Sequence, residues 1–320
     1  MTQVQTDRRA LAERVRALSG GMVYVLGGTD TGKTSLAKWL AKQTPDRPRR
    51  YLDCDPGQSV LGPPSTVGLA TVLGVTDGHG AGDGGNGEVR FGAPLLSFVG
   101  STSPARHLLQ TLSAIGRLAR EVEPSELLVC DSSGFVSGRL GSELQYNLLS
   151  LLRPQVIVAL GADDALRATL RPFEAAPDIE VHYFDRDPDC GTKSRGVRAD
   201  YREERLRQHF VDPREYVLGM DRVSLHGMIP ETPNAAAYRH RLCALLDRRQ
   251  FVLSLGLITG AGVGASGVKE LRVFAPQVEE ERVSSVQLGS LRLAPDDLTY
   301  RGPPGKSSPS ATSQPETGER

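Results

Sequence analysis

Met22–Ala37, MVYVLGGTDTGKTSLA, passes from an apolar run through a glycine turn into a helical pattern. The apolar run reads as a buried strand, and the segment after the turn reads as a helix that Thr44-Pro45 ends. Between them stands Gly27-x4-Gly32-Lys33-Thr34, a complete phosphate-binding loop. In such a loop the glycines let the backbone wrap closely enough for its N–H groups to point at phosphate oxygens, and the positive end of the helix favours the anion. Gly28, Thr29, Asp30, Thr31, Gly32, Lys33, Thr34 and Ser35 are therefore the expected nucleotide-binding residues. Lys33 reaches the outer phosphates, and the Thr34 hydroxyl ligates Mg2+.

With 320 residues, 39% hydrophobic and 24% charged, the chain has enough apolar material for one large domain and a small appended one. Lys plus Arg equals Asp plus Glu, so there is no global basic field to hold nucleic acid non-specifically, and any polyanion site must be local. The cysteines Cys54, Cys130, Cys190 and Cys243 form no CxxC pair, which signals neither zinc nor a disulfide framework and fits a reducing cytoplasm. No apolar run has transmembrane length, and the first residues lack the apolar core of a signal peptide; a soluble cytoplasmic protein without a membrane partner is expected.

Further along, Arg50–Cys54 reads as the next strand of the sheet, leading into Asp53-Cys-Asp55-Pro-Gly-Gln58. Two carboxylates at the carboxyl end of a strand beside the phosphate loop stand where a metal ion and a nucleophile meet, although Asp-Pro-Gly also makes turns without chemistry. The glycine tract from Thr76 to Gly87 reads as a hairpin tip. Gly100-Ser-Thr102-Ser103-Pro104 follows a short apolar strand and precedes a helix expected over 105–121, which makes it either a second anion cradle or a simple helix cap. ELLVCD, ending at Asp131, reads as a buried parallel strand with a Walker-B-type carboxylate, and Phe135 just beyond it offers a ring for base stacking or for the core. Later, Arg198, Arg202 and Arg205 fall on one helical face, as arginines that close over a triphosphate would, or as part of a solvated helix with Glu203–Arg207 pairing.

The order of these stretches resembles the polynucleotide 5′-hydroxyl kinase family, which includes the kinase of the pre-mRNA cleavage complex, ribosomal-RNA-processing kinases and archaeal relatives. The resemblance is carried by GGTDTGKTS, DCDPGQ with its Gly-Pro-Pro connection, FVGSTSP, DSSGF and the arginine helix. It implies ATP and Mg2+ as cofactors and 5′-OH ends of RNA or DNA as partners. It implies Lys33, Asp55, Arg198 and Arg202 as catalytic residues, with Asp55 the general base, and Thr34, Asp53, Asp55 and Asp131 around the metal. Gln58, Thr102, Ser103, Pro104 and Phe135 would contact the acceptor. Where the family usually has Thr-x-Gly-Trp, this chain has Ser132-Ser133-Gly134-Phe135, which implies a smaller stacking surface.

Strands alternating with helices predict an α/β fold of P-loop NTPase type: a doubly wound, mainly parallel sheet with a small β-rich C-terminal domain. The expected division is an N-terminal helix within 1–19, a kinase domain with its arginine lid over 20–211, a β-rich domain over 212–300 with a loop at Gly260–Gly267, and a disordered tail over 301–320. Two rival readings are a P-loop GTPase, which the Leu160-Gly-Ala-Asp163-Asp164 segment disfavours for want of a guanine-reading lysine, and an ATP-binding scaffold without turnover.

Overall fold

The structure is a computed structural model that describes residues 7–76, 87–232, 234–264, 267–294 and 298–301. The glycine tract, but for its ends, and the tail beyond residue 301 lie outside the described residues.

Five strands form the parallel part of the first sheet: β1 (Gly21–Gly27), β2 (Arg49–Asp53), β6 (Leu127–Asp131), β7 (Val156–Leu160) and β8 (Glu180–Phe184). They lie in the order β2-β6-β1-β7-β8. On the β2 side the sheet continues antiparallel through β3 (Thr66–Val75), which also pairs with β4 (Val89–Phe91) and β5 (Leu95–Phe98). Side-chain alternation divides β1 between two cores. Val23 and Val25 face a layer with Leu11 and Val15 of α1 (Arg8–Ala17) and Leu36 and Leu40 of α2 (Lys33–Ala41). Tyr24 and Leu26 face the other layer, with α3 (Leu108–Ala119), α4 (Gly138–Leu152) and α5 (Asp164–Glu174). A strand covered on both faces reads as one unbroken apolar run, as β1 does. The buried Tyr24 hydroxyl donates to Gln145 Oε1 at 3.0 Å, which satisfies the one polar atom this packing takes out of water.

The parallel strands deliver the ends of β1, β2 and β6 to one edge. β6 lies between β1 and β2, so the phosphate loop, the Asp53–Gln58 turn and Asp131 converge there.

The second sheet has the order β10-β14-β11-β12-β13-β9, with β15 (Tyr300–Arg301) on β14. Its strands are β9 (Arg214–Gly219), β10 (Ser224–Gly227), β11 (Arg241–Leu246), β12 (Val252–Gly264), β13 (Gly267–Ala275) and β14 (Ser285–Leu293). The Gly260–Gly267 segment is a correction to the expected loop: Gly260, Gly262 and Gly264 pair with Arg272, Glu270 and Gly267, with register shifts beside them. A ladder needs only backbone N–H and C=O, which glycine carries, and bulges absorb the irregularity. One face of this sheet packs Leu242, Leu255, Leu291 and Leu293 against Phe98 of β5 and against Leu206 and Phe210 of α6 (Arg195–His209) and the residue after it. α6 therefore touches both sheets. Among the described residues no helix is long and apolar enough to cross a membrane.

Candidate active site

The phosphate loop turns into α2 at Gly32, whose φ of +92° favours glycine and whose Cβ, if present, would lie 2.8 Å from Asp187 Cβ. Lys33 is buried at the helix start and its Nζ donates to the Gly28 carbonyl at 2.5 Å. Burial pushes this ammonium below its ordinary range, while Asp131, Asp55 and Asp30 pull it back up. The loop is a cradle of the right kind for phosphate: cationic, glycine-turned and closed underneath by carboxylates.

Asp131 ends β6 fully buried. Its Oδ2 accepts from Thr34 Oγ1 at 2.7 Å and from Tyr51 OH at 2.8 Å, whereas its Oδ1 is buried with no hydrogen-bond partner. Burial raises the carboxyl above its usual range, and Thr34, Lys33 and Tyr51 oppose that. A buried carboxylate oxygen without a donor is costly unless a cation or its water supplies one, so the Thr34–Asp131 pair fits Mg2+. Tyr51 was not among the expected site residues; the signal for it lies in the alternation of Arg49–Asp53, which points Tyr51 and Asp53 to the same side of β2.

The two carboxylates of Asp53-Cys-Asp55 have separate surroundings. Asp53 Oδ2 accepts from Ser59 Oγ at 2.9 Å, Val60 N at 2.5 Å and Leu61 N at 3.1 Å, and its Oδ1 accepts from Asp55 N at 3.1 Å. Its pKa is pushed up to about 7 by burial, with Asp131 adding and the N–H groups opposing. Asp53 thus holds the 59–61 turn, with both of its oxygens engaged. Asp55 takes up Gly57 N at 2.7 Å and Gln58 N at 3.0 Å, both on Oδ1, and lines one pocket of about 310 Å3 with Lys33, Thr34, Asp131, Gln58 and Arg198.

α6 closes that pocket. Arg198 Nη2 binds Asp30 Oδ2 at 2.5 Å, Tyr201 OH donates to the Ser59 carbonyl at 2.8 Å, and Arg205 Nη2 donates to the Gly62 carbonyl at 2.9 Å. The turn that Asp53 organises is therefore the seat on which the arginine helix rests. Glu203 and Glu204 pair with Arg207, and Glu203 also lines the cleft that adjoins the pocket, so one helix carries site-facing arginines and an ion-paired flank. Arg202 faces Asp55 electrostatically, and burial lowers its guanidinium slightly against that attraction. It lines a second, adjoining cleft rather than the nucleotide pocket.

Thr102 and Ser103 line that second cleft. The expected 105–121 helix is broken: a single turn, Pro104–Arg106, is capped by Ser103 Oγ accepting from Ala105 N at 3.3 Å, and α3 begins only after His107. Pro104 starts a tight turn that does not propagate into α3, so the head of this segment is a capped turn rather than a long helix. Pro104 itself is buried and lines neither cavity. Phe135 packs against the first-sheet core and is likewise outside both cavities.

The family model described as "mRNA cleavage and polyadenylation factor CLP1 P-loop" matches residues 27–212. A polyribonucleotide 5′-hydroxyl-kinase of Methanocaldococcus jannaschii is 28% identical over 214 residues, 64% of this chain and 54% of that protein. One of Pyrococcus horikoshii is 26% identical over 70% of this chain and 60% of its own length, and one of Pyrococcus furiosus is 23% identical over 92% and 94%. The chain thus spans 54 to 60% of the length of the Methanocaldococcus jannaschii and Pyrococcus horikoshii kinases. The Clp1p chain of a wild-type Clp1p–Pcf11p complex superposes with a TM-score of 0.61 at 16% identity, covering 88% of this chain and 77% of that one, a likeness of fold.

Proposed function

The chain belongs to the CLP1 P-loop family, and from that membership we propose that it is an ATP-dependent polynucleotide 5′-hydroxyl kinase, using Mg2+ to phosphorylate 5′-OH ends of RNA or DNA. The observation that carries the proposal is the gathering of Lys33, Thr34, Asp55, Asp131 and Arg198 around one pocket, with Arg202 in the adjoining cleft under the electrostatic pull of Asp55. The activity for which its relatives are named, polyribonucleotide 5′-hydroxyl kinase, supports the same chemistry.

Lys33 and the amides of residues 28–35 hold the β- and γ-phosphates; Thr34 and Asp131 would hold Mg2+, which would supply neutralising charge to the phosphate oxygens. Asp55 accepts the proton of the acceptor 5′-hydroxyl as that oxygen bonds to the γ-phosphorus. The bond from phosphorus to the β–γ bridging oxygen breaks, and its electron pair leaves with ADP. Arg198 and Arg202 stabilise charge on the moving phosphoryl group. The proposed division of labour makes 20–211 the catalytic unit and 212–300 a β-rich companion, consistent with two separate sheets. A reducing, cytoplasmic setting is proposed on the four free cysteines, of which Cys54, Cys130 and Cys243 are buried.

The test is transfer of label from the γ-position of ATP to short 5′-OH RNA and DNA oligonucleotides, with 5′-phosphorylated oligonucleotides and Asp55→Asn as controls. Label confined to 5′-OH ends and lost in the variant is expected. ATP binding or hydrolysis with no labelled oligonucleotide overturns the kinase in favour of an NTPase or a scaffold.

A further inference from the structure

We propose that the cleft beside the nucleotide pocket holds the terminal base of a single-stranded 5′-OH acceptor, so that the β-rich sheet forms one wall of the substrate site. This deepens the kinase reading above and rests on it.

The cleft encloses about 890 Å3, against about 310 Å3 for the nucleotide pocket, and falls within the size range of small-ligand sites, roughly 300 to 1,000 Å3. Its floor is apolar, built from Leu206 of α6 and Leu291 and Leu293 of β14, all buried. Met228, 41% exposed, stands on the same wall. Leucine methyls and a polarizable thioether suit the flat face of a base and do not discriminate among bases. At the rim the cleft is polar, with Thr102 and Arg202.

One attraction and one contact join this surface to the chemistry. Arg202 lines the cleft, and Asp55 pulls on it electrostatically. A Cβ added at Gly57 would lie 2.5 Å from the Thr102 carbonyl oxygen, so the Asp55 turn and the rim of the cleft are in direct contact. A 5′-hydroxyl at Asp55 therefore leaves its own nucleoside at the mouth of the cleft. Phe135 is packed against the core and lines neither cavity, and Tyr201, the ring that lines the nucleotide pocket, has its hydroxyl on the Ser59 carbonyl. The cleft offers an apolar surface for the base. Only an unpaired base presents a free face to it, which makes a single-stranded end the occupant.

The experiment compares single-stranded 5′-OH oligonucleotides with a normal or an abasic 5′-terminal residue, on the full chain and on Met228→Ala and Ala199→Gln; Ala199 lines the cleft from α6, and the longer polar side chain covers part of the apolar wall without adding a ring. Two readouts are taken: kcat/KM for phosphate transfer, and Kd from fluorescence anisotropy of the same labelled oligonucleotides. Wild type should favour the normal end about tenfold in both, as loss of one stacked base implies. Met228→Ala and Ala199→Gln should each narrow the preference, with KM for ATP unchanged. Equal handling of normal and abasic ends by wild type, or a preference that both variants leave unchanged, overturns the proposal. If no oligonucleotide is labelled, the kinase reading fails, and the anisotropy ratios still decide whether the cleft holds a base.

Discussion

The nucleotide pocket and the cleft beside it share α6 as a wall but are made in different ways. In the pocket, most groups come from a strand's carboxyl end and the turn that follows, and they are polar and held by partners: Lys33 on Gly28, Asp131 on Thr34 and Tyr51, Asp30 on Arg198. In the cleft the residues come from four distant stretches, around 102, 202, 228 and 291, and their common feature is apolar packing of the second sheet on α6 and β5. The pocket is fixed by directional bonds that place charges. The cleft is fixed by burial, which places a surface. A substitution in the first should therefore change the chemistry, and one in the second should change which ends are accepted.

The widest separation is expected from Arg202→Ala, since Arg202 is the side chain that the cleft presents to Asp55. Transfer should fall by about 10^3-fold or more, the scale of an arginine acting on a phosphoryl group, while ATP binding measured by titration stays within a few-fold of wild type. Full activity in this variant would detach the cleft from the chemistry. Asp131→Asn and Asp53→Asn then separate two buried acids on neighbouring strands. Asp131→Asn should move the Mg2+ midpoint of activity upward by about tenfold or more, by weakening a metal contact, whereas Asp53→Asn should leave that midpoint in place and raise the KM for the oligonucleotide by loosening the turn under α6. A Mg2+ shift of equal size in both would return Asp53 to the metal shell.

Ser290→Ala is a smaller test, of the cleft alone. Ser290 N and Oγ both donate to the Gly100 carbonyl, at 2.9 and 3.2 Å, and Oγ lies 2.9 Å from His107 Nε2. With the Ser290 proton committed to Gly100, His107 Nε2 is the donor to Oγ, and Nδ1 is left buried with no partner. Loss of the hydroxyl should cost about 1–3 kcal/mol, seen as a lower Tm, with KM raised for the oligonucleotide and not for ATP. Burial also lowers the pKa of His107 from its ordinary 6.5, so folding favours the neutral ring. The sign follows: its contribution is present above pH 6.5 and is lost as pH falls through the folded pKa, because the unfolded chain then binds the proton better. Asp53 runs the other way. Its pKa is raised from 3.8 to about 7, so the stability it lends to the protonated fold is lost as pH rises across that interval, and Asp53→Asn should flatten that part of the apo protein's Tm-against-pH curve. The smallest effect is expected at Arg153–Asp178, an exposed pair at 2.8 Å: Asp178→Asn should leave both Tm and transfer unchanged, as measured by calorimetry and the labelling assay.

By itself the sequence determined what is local. The loop from Gly27 to Thr34 is contiguous, so its geometry is encoded by glycine spacing and one helix start. The apolar runs of β1, β6 and β7 announce strands buried on both faces, and with them the parallel sheet, because each strand's environment is written in its own residues. The arginine spacing on α6 was legible for the same reason. Tertiary structure alone decided how neighbours in sequence part company. Asp53 and Asp55 are two residues apart, yet the first is spent on the Ser59 hydroxyl and the backbone of residues 60 and 61 and the second lines the pocket, since whether a carboxylate meets a turn or a cavity depends on chain that returns from elsewhere. The same holds for Phe135 in the core, for the glycine-rich arms of β12 and β13 that pair as a ladder, and for the wall of the cleft. Ser290 and Gly100 meet across 190 residues, and no period or motif records that contact, because it exists only once two separate apolar faces have been buried against each other.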